Sequence, residues 1–155
     1  MSTTAPQLGI TVHTFTQLLS STRRGARLAR LLAAEQLRAW DVSPGVTERA
    51  EQIVAELAAN AALHGSVRGR DFRLALTLDA GTGTLRIAVT DARGDELPSL
   101  CADFGGSPDG ESGRGLLLVT ALADRWGVDP YPPGGKTVWA ECDSKATVVG
   151  SATER

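Results

Sequence analysis

The feature that most restricts the fold of this chain is a run of alternating apolar and polar residues near its middle. The apolar residues recur at every second position on both sides of a short turn: Phe72, Leu74, Leu76 and Leu78, then Leu85, Ile87 and Val89. The turn itself, residues 80–83, contains two glycines. Because successive side chains of a strand point to opposite faces, this pattern predicts a β-hairpin with one buried face. We therefore expect a sheet that another layer covers on that face.

Two helices are predicted before the hairpin. The first has N-cap candidates at residues 20–22 and reaches about Trp40. We expect it to pack through four apolar residues: Leu28, Leu31, Leu32 and Ala39. The second begins near Pro44 and ends at residues 64–65, where Gly65 suits a left-handed cap. Its apolar residues recur at helical spacing, which predicts tight packing: Val46, Ala50, Ile53, Leu57 and Ala61.

The remaining elements add strands and one more helix. Residues 8–15 form a predicted first strand, with Ile10, Val12 and Thr14 on one face. After the hairpin comes a loop at 92–112, rich in Gly, Pro, Asp and Ser, whose length indicates either a functional lid or a disordered segment. A short apolar helix follows at 113–122. Two ranges are predicted to form the final strand pair: 125–129 and 137–142.

This order of elements predicts the fold class. Strands come in adjacent hairpins, and the regular alternation of a doubly wound parallel sheet is missing. We expect an α/β (α+β) two-layer sandwich, in which about three helices cover one face of a mixed, mostly antiparallel sheet. The whole chain, residues 1–155, is predicted to be one domain with an ordered core at about 8–143 and flexible ends.

The composition argues against several classes of function. A formal net charge of −2 does not favour a general nucleic-acid or membrane-surface protein, since both need a strong basic excess. No apolar run approaches the length of a membrane span, and the N-terminal residues lack the pattern of a secretory signal. Cys101, Cys142 and His64 lack metal-ligand spacing. We expect a cytoplasmic protein with reduced thiols.

The first predicted helix also carries a basic face. Four arginines recur there at helical spacing: Arg23, Arg27, Arg30 and Arg38. Two interpretations stay open for this face, a solvated surface or a docking stripe for an acidic partner.

The first of three candidate motifs lies on the second helix. Glu56 and Asn60 are four residues apart, so they are neighbours on one helix face. They flank the apolar stripe and are expected at the rim of the buried surface. There Asn60 offers an oxygen ligand to a Mg²⁺ ion that bridges phosphates, and Glu56 can orient or deprotonate a hydroxyl or water. An isolated pair of this kind is more often an ordinary helix surface.

The second motif is Asp91, which follows the apolar strand at 85–89. A carboxylate at a strand end can accept a hydrogen bond from an exocyclic amine such as adenine N6. Taken alone, the same residue is more often the first residue of a turn.

The third motif, residues 112–116, leads into the apolar helix. Gly113 and Gly115 let backbone N–H groups approach an anion, and the helix N-terminus adds a positive partial charge. Arg114 can add a charge-assisted contact to a phosphate. The segment is neither a Walker A loop nor a dinucleotide fingerprint, because the residues that define those motifs are missing.

In this order, the motifs resemble those of the GHKL, or Bergerat-fold, ATPase superfamily. Residues 56–61 are similar to its N box, Asp91 with Gly94 to its first glycine box, and residues 113–116 to its second. Residues 135–139 resemble its closing strand. The resemblance covers about 8–142. Within the superfamily, the size of the chain, the sequence at 60–65 and Arg114 are most similar to the small bacterial anti-sigma-factor kinases.

The resemblance implies a protein that binds ATP and Mg²⁺ and acts as a serine/threonine protein kinase. Its implied partners are an anti-anti-sigma protein of the STAS type, which it would phosphorylate, and a sigma factor, which it would sequester. A homodimer is a further expectation, whereas direct contact with nucleic acid or membrane is not expected.

The resemblance also implies roles for individual residues. Glu56 becomes the general base or water-orienting acid, and Asn60 the Mg²⁺ ligand. Asp91, with Gly94, reads adenine, and Thr137 supports the base through water. Four residues are implied to hold the phosphates: Gly113, Arg114, Gly115 and Leu116.

One departure from the family pattern keeps an alternative open. The first glycine box usually has a glycine two residues after the Asp, where this chain has Arg93. This departure and the basic face are compatible with a non-catalytic, nucleotide-dependent binding module that sequesters a sigma factor or other regulator. A detached catalytic domain of a sensor histidine kinase is disfavoured, because the predicted first helix contains no histidine.

Overall fold

The computed structural model describes residues 11–63, 70–92 and 111–144, with the backbone alone described at 111–115. Its helices are α1 (Arg23–Ala39), α2 (Pro44–Leu63) and α3 (Glu111–Leu122). Its strands are β1 (Val12–Leu19), β2 (Phe72–Asp79), β3 (Thr84–Asp91), β4 (Arg125–Tyr131) and β5 (Gly135–Asp143). Predictions that concern residues 1–10, 64–69, 93–110 and 145–155 lie outside the described residues.

The described strands form one sheet in the order β1-β2-β3-β5-β4, and every neighbouring pair is antiparallel. The register aligns apolar residues of adjacent strands, because Leu76 lies opposite Ile87 and Ile87 lies opposite Ala140. Helices lie against one face of this sheet, where alternate residues of β2, β3 and β5 are buried. The predicted α+β sandwich and its central hairpin are therefore confirmed.

The core lies between α2 and the middle of the sheet. The largest side chains with almost no exposed surface include Ile53 and Leu57 of α2, Phe72 and Leu76 of β2, and Ile87 of β3. The helical spacing in α2 and the period of two in the strands therefore correctly identified the residues that meet there.

The first strand differs from its prediction in both extent and orientation. It runs from Val12 to Leu19, not over 8–15, and Ile10 lies outside the described residues. Leu19 is buried opposite Phe72 and Phe15 is partly buried opposite Leu76, whereas Val12 is exposed. Pairing with β2 decides which face of this edge strand meets the core, and a shift of one residue reverses the faces.

The predicted apolar stripe of α1 is also largely wrong, although its N-cap is confirmed at Thr22. Leu28 and Leu31 are 44% and 61% exposed, Ala39 is exposed, and only Leu32 packs against the core. The buried face consists instead of mostly small residues: Gly25, Ala29, Ala33, Ala34 and Leu37. Small residues let α1 lie close to α2, its main neighbour, which large leucines would prevent.

Part of the basic face of α1 contacts the fold itself. Arg30 and Arg38 lie 3.9 Å and 3.7 Å from the carboxylate of Glu51 on α2. Both arginines are more than half exposed, so these pairs contribute little to stability. The two interpretations of this face, solvated surface or docking stripe, therefore both stay open.

Candidate functional site

Arg49 of α2 defines one end of the sandwich by joining three elements. Its Nη1 donates to the carbonyl oxygen of Leu122 at 2.9 Å, and its Nη2 donates to that of Asp143 at 3.3 Å. Leu122 is the last residue of α3, and Asp143 is the last residue of β5. The early turns of α2 and the final residues of α3 and β5 therefore meet at this end.

The predicted site residues lie on segments that lead away from this end. Thr84 of β3 pairs with Asp143 at the Arg49 end. Asp91 follows seven residues later in the same strand, so it lies roughly 23 Å from Thr84 along the sheet. The first residue of α3 lies about 16 Å from its last, and Asn60 lies about 16 Å beyond Arg49 along α2. All three segments therefore leave the Arg49 end, and each carries its predicted site residues toward its far end.

Asp91 lies on the buried face of the sheet, in phase with Leu85, Ile87 and Val89. Its carboxylate is paired with Lys136 of β5, whose Nζ donates to Oδ1 at 3.1 Å and to Oδ2 at 3.0 Å. Asp91 is 6% exposed and Lys136 is 4% exposed. Both charges are therefore removed from water, and each is compensated by the other.

Sequence reasoning missed Lys136 as a member of the site, although a signal for it was present. The alternation that buries Val138, Ala140 and Cys142 also assigns Lys136 to the helix-facing side of β5. A lysine at a buried strand position needs an anionic partner, and Asp91 is its direct neighbour across the β3–β5 pair.

Glu56 and Asn60 occupy the rim position that was predicted for them. Each is half-buried, and the neighbouring Leu57 and Ala61 are almost fully buried in the core. Both side chains therefore lie at the border between the apolar stripe of α2 and its exposed surface, where polar groups can reach a ligand beside the helix.

Thr137 is not brought together with Asp91. It belongs to the outer face of the sheet, where its hydroxyl shares a hydrogen bond of 2.7 Å with the hydroxyl of Thr90. The backbone of the sheet separates this pair from the helix-facing side chains. Lys136, one position earlier, occupies the place on β5 that faces Asp91.

The second glycine box forms the first turns of α3, and the helix begins at Glu111 instead of Gly113. Gly113, Arg114 and Gly115 lie in this part, of which only the backbone is described. The side chain of Leu116 is buried in the interior, so it anchors the helix start and leaves ligand contacts to backbone groups. Gly94 of the first glycine box and residues 93–110 of the predicted lid lie outside the described residues.

A cleft of about 180 Å³ opens near the Asp91 end but mainly on the outer side of the sheet. Its lining includes the outward residues Leu18, Arg73 and Thr90. Tyr131 closes one side, with its ring centre 5.2 Å from the guanidinium carbon of Arg73. Asp91 and Gly135 also border this cleft, so it reaches the strand end that carries the predicted base contact, whereas Glu56 and Asn60 are not part of its lining.

Two further features of the described residues bear on ligands and location. They contain no cluster of three or more His, Cys, Asp or Glu side chains arranged to hold a metal ion. The predicted Mg²⁺ site does not require such a cluster, because phosphates and water would supply most of its ligands. In the part of the chain that the structure covers, no helix has the length and apolar character needed to cross a membrane.

Known structures show the same fold at low sequence identity. The RsbU and RsbW domains of Rv1364c from Mycobacterium tuberculosis match with a TM-score of 0.64 and 19% identity, covering 84% of this chain and 32% of that chain. The present chain thus spans about a third of that protein's length. A chain of the SiaB–SiaC complex from Pseudomonas aeruginosa matches with a TM-score of 0.57 and 13% identity. The match covers 82% of the present chain and 88% of that chain. No curated protein sequence gave a significant match.

A family profile covers most of the chain. The profile of the histidine kinase-like ATPase domain matches residues 19–142, which include the three motifs and all elements from α1 to β5 except the last residue of β5. ATPases of this superfamily bind ATP, generally with Mg²⁺. The resemblance to the GHKL superfamily is thereby confirmed, and the chain belongs to the histidine kinase-like ATPase domain family.

Proposed function

We propose that this protein is an ATP-binding regulator of the anti-sigma-factor kinase type. It transfers the γ-phosphoryl group of ATP to a serine or threonine of a small anti-anti-sigma partner of the STAS type. The observation that carries the proposal is that α2, α3 and β3 all leave the Arg49 end and that each carries its motif at its far end. A pocket built in this way needs few catalytic groups, since phosphoryl transfer depends mainly on positioning and charge neutralisation.

Each motif has a distinct role in this proposal. Asp91 accepts a hydrogen bond from the exocyclic amine of adenine, and Asn60 provides an oxygen ligand to Mg²⁺ between the phosphates. Glu56 orients or deprotonates the attacking hydroxyl. The phosphates lie at the start of α3, where backbone N–H groups and the helix dipole favour negative charge. The proposal assigns Thr137 no contact with the base, because its hydroxyl is hydrogen-bonded to that of Thr90 on the other face of the sheet.

The class of partner is supported by the motifs and by the fold. The sequence at 60–65 and Arg114 resemble small anti-sigma-factor kinases, and both structural neighbours come from the RsbW and SiaB groups. In this role the protein would act in the cytoplasm, sequester a sigma factor and release it when its partner is not phosphorylated. A homodimer is part of the same proposal.

A second candidate is a regulatory binding module that performs no phosphoryl transfer. The departure at Arg93 favours it, because this position of the family's first glycine box usually carries a glycine. The exposed leucines of α1, Leu28 and Leu31, also favour it, since they lie among arginines on a surface suited to a protein partner.

Calorimetric titration with Mg·ATP tests the proposed pocket. We expect the wild type to bind, and we expect Asn60→Ala and Asp91→Asn to weaken binding about ten- to hundredfold, because each removes a contact to a charged or metal-linked group. Gln52→Ala is the matched control, since it removes an exposed amide from the same helix and should bind as the wild type does.

The two candidate functions are separated by phosphoryl transfer itself. The wild type is incubated with [γ-³²P]ATP and a panel of anti-anti-sigma proteins, with Glu56→Gln as the comparison. Label on a serine or threonine of one partner, lost in the variant, supports the kinase. If ATP binds and partners associate without any labelled product, the binding module is the better description.

A further inference from the structure

The buried pair of Asp91 and Lys136 is the feature of the described site that neither the motifs nor the roles above account for. The two residues are direct partners across β3 and β5, and both carboxylate oxygens accept from the same Nζ. Gly135 precedes Lys136, and a Cβ added there would collide with the carbonyl oxygen of Asp91. The close approach of the two backbones thus determines where the lysine side chain begins.

The charge of Lys136 bears on the kind of hydrogen bond that Asp91 can make. An ionised carboxylate only accepts hydrogen bonds, whereas a protonated one also donates. Burial away from water without a counter-charge favours the neutral, protonated form, and a cation within hydrogen-bond distance favours the ionised form. The ammonium group therefore keeps this carboxylate an acceptor despite its burial.

We propose that Lys136 determines the base specificity of the pocket by keeping Asp91 an acceptor in a fixed orientation. This inference rests on the proposed nucleotide site. An acceptor at this position selects a purine with an amine at carbon 6, as in adenine, and disfavours a purine with a carbonyl there, as in hypoxanthine. Lys136 is in this sense a positioning residue, which acts on the nucleotide through Asp91.

The test compares the affinities for Mg·ATP and Mg·ITP, two nucleotides that differ at carbon 6 of the base. We expect the wild type to prefer ATP by about ten- to hundredfold, the effect of a hydrogen bond to a charged group. In Lys136→Met we expect the affinities for Mg·ATP and Mg·ITP to differ by no more than a few-fold, because a protonated Asp91 can also donate to the carbonyl of ITP. Lys136→Arg retains the positive charge and should retain the preference.

The ratio of the two affinities distinguishes this role from a merely structural one. A general loosening of the fold weakens the binding of both nucleotides equally and leaves the ratio of their affinities unchanged. Thermal unfolding of each variant reports whether it folds. If Lys136→Met does not fold, Lys136→Gln replaces it, because it keeps a donor of similar length without the charge, and the same fall in the ratio is expected.

Three outcomes would overturn the inference. A folded, uncharged variant that keeps the full preference for ATP would show that Lys136 does not act on specificity. Tighter binding of ATP to that variant would show that Lys136 obstructs the base. A wild type that binds ATP but has no preference over ITP contradicts the inference alone, whereas a wild type that binds neither nucleotide contradicts the proposed function as well.

Discussion

Cys142 shows how position in the sheet changes the chemistry of a single residue. It lies on the buried face of β5 with no exposed surface and forms no disulfide. Burial raises the pKa of its thiol, because removal from water disfavours the thiolate. The pKa of this thiol is therefore higher in the folded protein than in the unfolded chain. Its contribution to the free energy of unfolding is fully present below the ordinary thiol pKa and is lost as the pH rises through the raised value.

We predict that Cys142 resists alkylation in the native protein. Iodoacetamide at pH 8 should modify it at least about ten times more slowly than in guanidinium chloride, because the reagent needs an accessible thiolate. The measurement is site-resolved mass spectrometry of the peptide that contains Cys142, with the denatured protein as the control. Equal rates in the two conditions would contradict the buried position.

At the scale of single elements, the first turns of α1 and α2 provide a matched pair of glycines. Gly25 in α1 is buried, and a Cβ there would collide with the backbone carbonyl oxygen of Ser20. Gly45 in α2 is exposed, and a Cβ there would meet nothing within 4 Å. The same substitution should therefore have opposite effects in two similar helical positions.

We predict that Gly25→Ala lowers the free energy of unfolding by about 1–3 kcal/mol or more, because a backbone atom cannot move aside as a side chain can. Gly45→Ala should raise it by about 0.4–1 kcal/mol, since alanine restricts the unfolded chain and suits a helix. Urea denaturation monitored by circular dichroism measures both values. A neutral Gly25→Ala variant would contradict the close contact between Gly25 and the backbone of Ser20.

At the scale of the whole molecule, Arg49 joins helices and sheet through polar contacts, in addition to the apolar core between them. Its two hydrogen bonds join α2 to the ends of α3 and β5, and it also lies 3.7 Å from the carboxylate of Asp124. Arg125 makes three hydrogen bonds to Glu141 and Asp143, but it joins only the neighbouring strands β4 and β5 on the surface.

We predict that Arg49→Met lowers the free energy of unfolding by about 1.5–3 kcal/mol, because it leaves two partly buried carbonyl groups without their charged donor. Arg125→Met removes more hydrogen bonds yet should cost less, because its partners remain in contact with water. Both are measured by urea denaturation, with the two variants as controls for each other. An equal or larger loss for Arg125→Met would contradict the assignment of Arg49 as a stronger connection than Arg125.

Much of this fold could be predicted from local patterns. The period of two in β2 and β3 identified the buried face of the hairpin, and the helical spacing in α2 identified the residues of the core. The faces of β1 and α1 could not be predicted in this way. Leu28 and Leu31 are apolar but exposed, because the contact between α1 and α2 needs small side chains where a large one would keep the helices apart.

The sequence by itself determined the elements, their order, the family motifs and the rim position of Glu56 and Asn60, because all of these depend on residues close together in the chain. Only the tertiary structure decided that Lys136, and not Thr137, faces Asp91. That choice depends on the register between β3 and β5, which are separated by more than forty residues, and on which face of the sheet the helices cover. Local periodicity sets the alternation of side chains, but contacts between distant strands determine which of them meet.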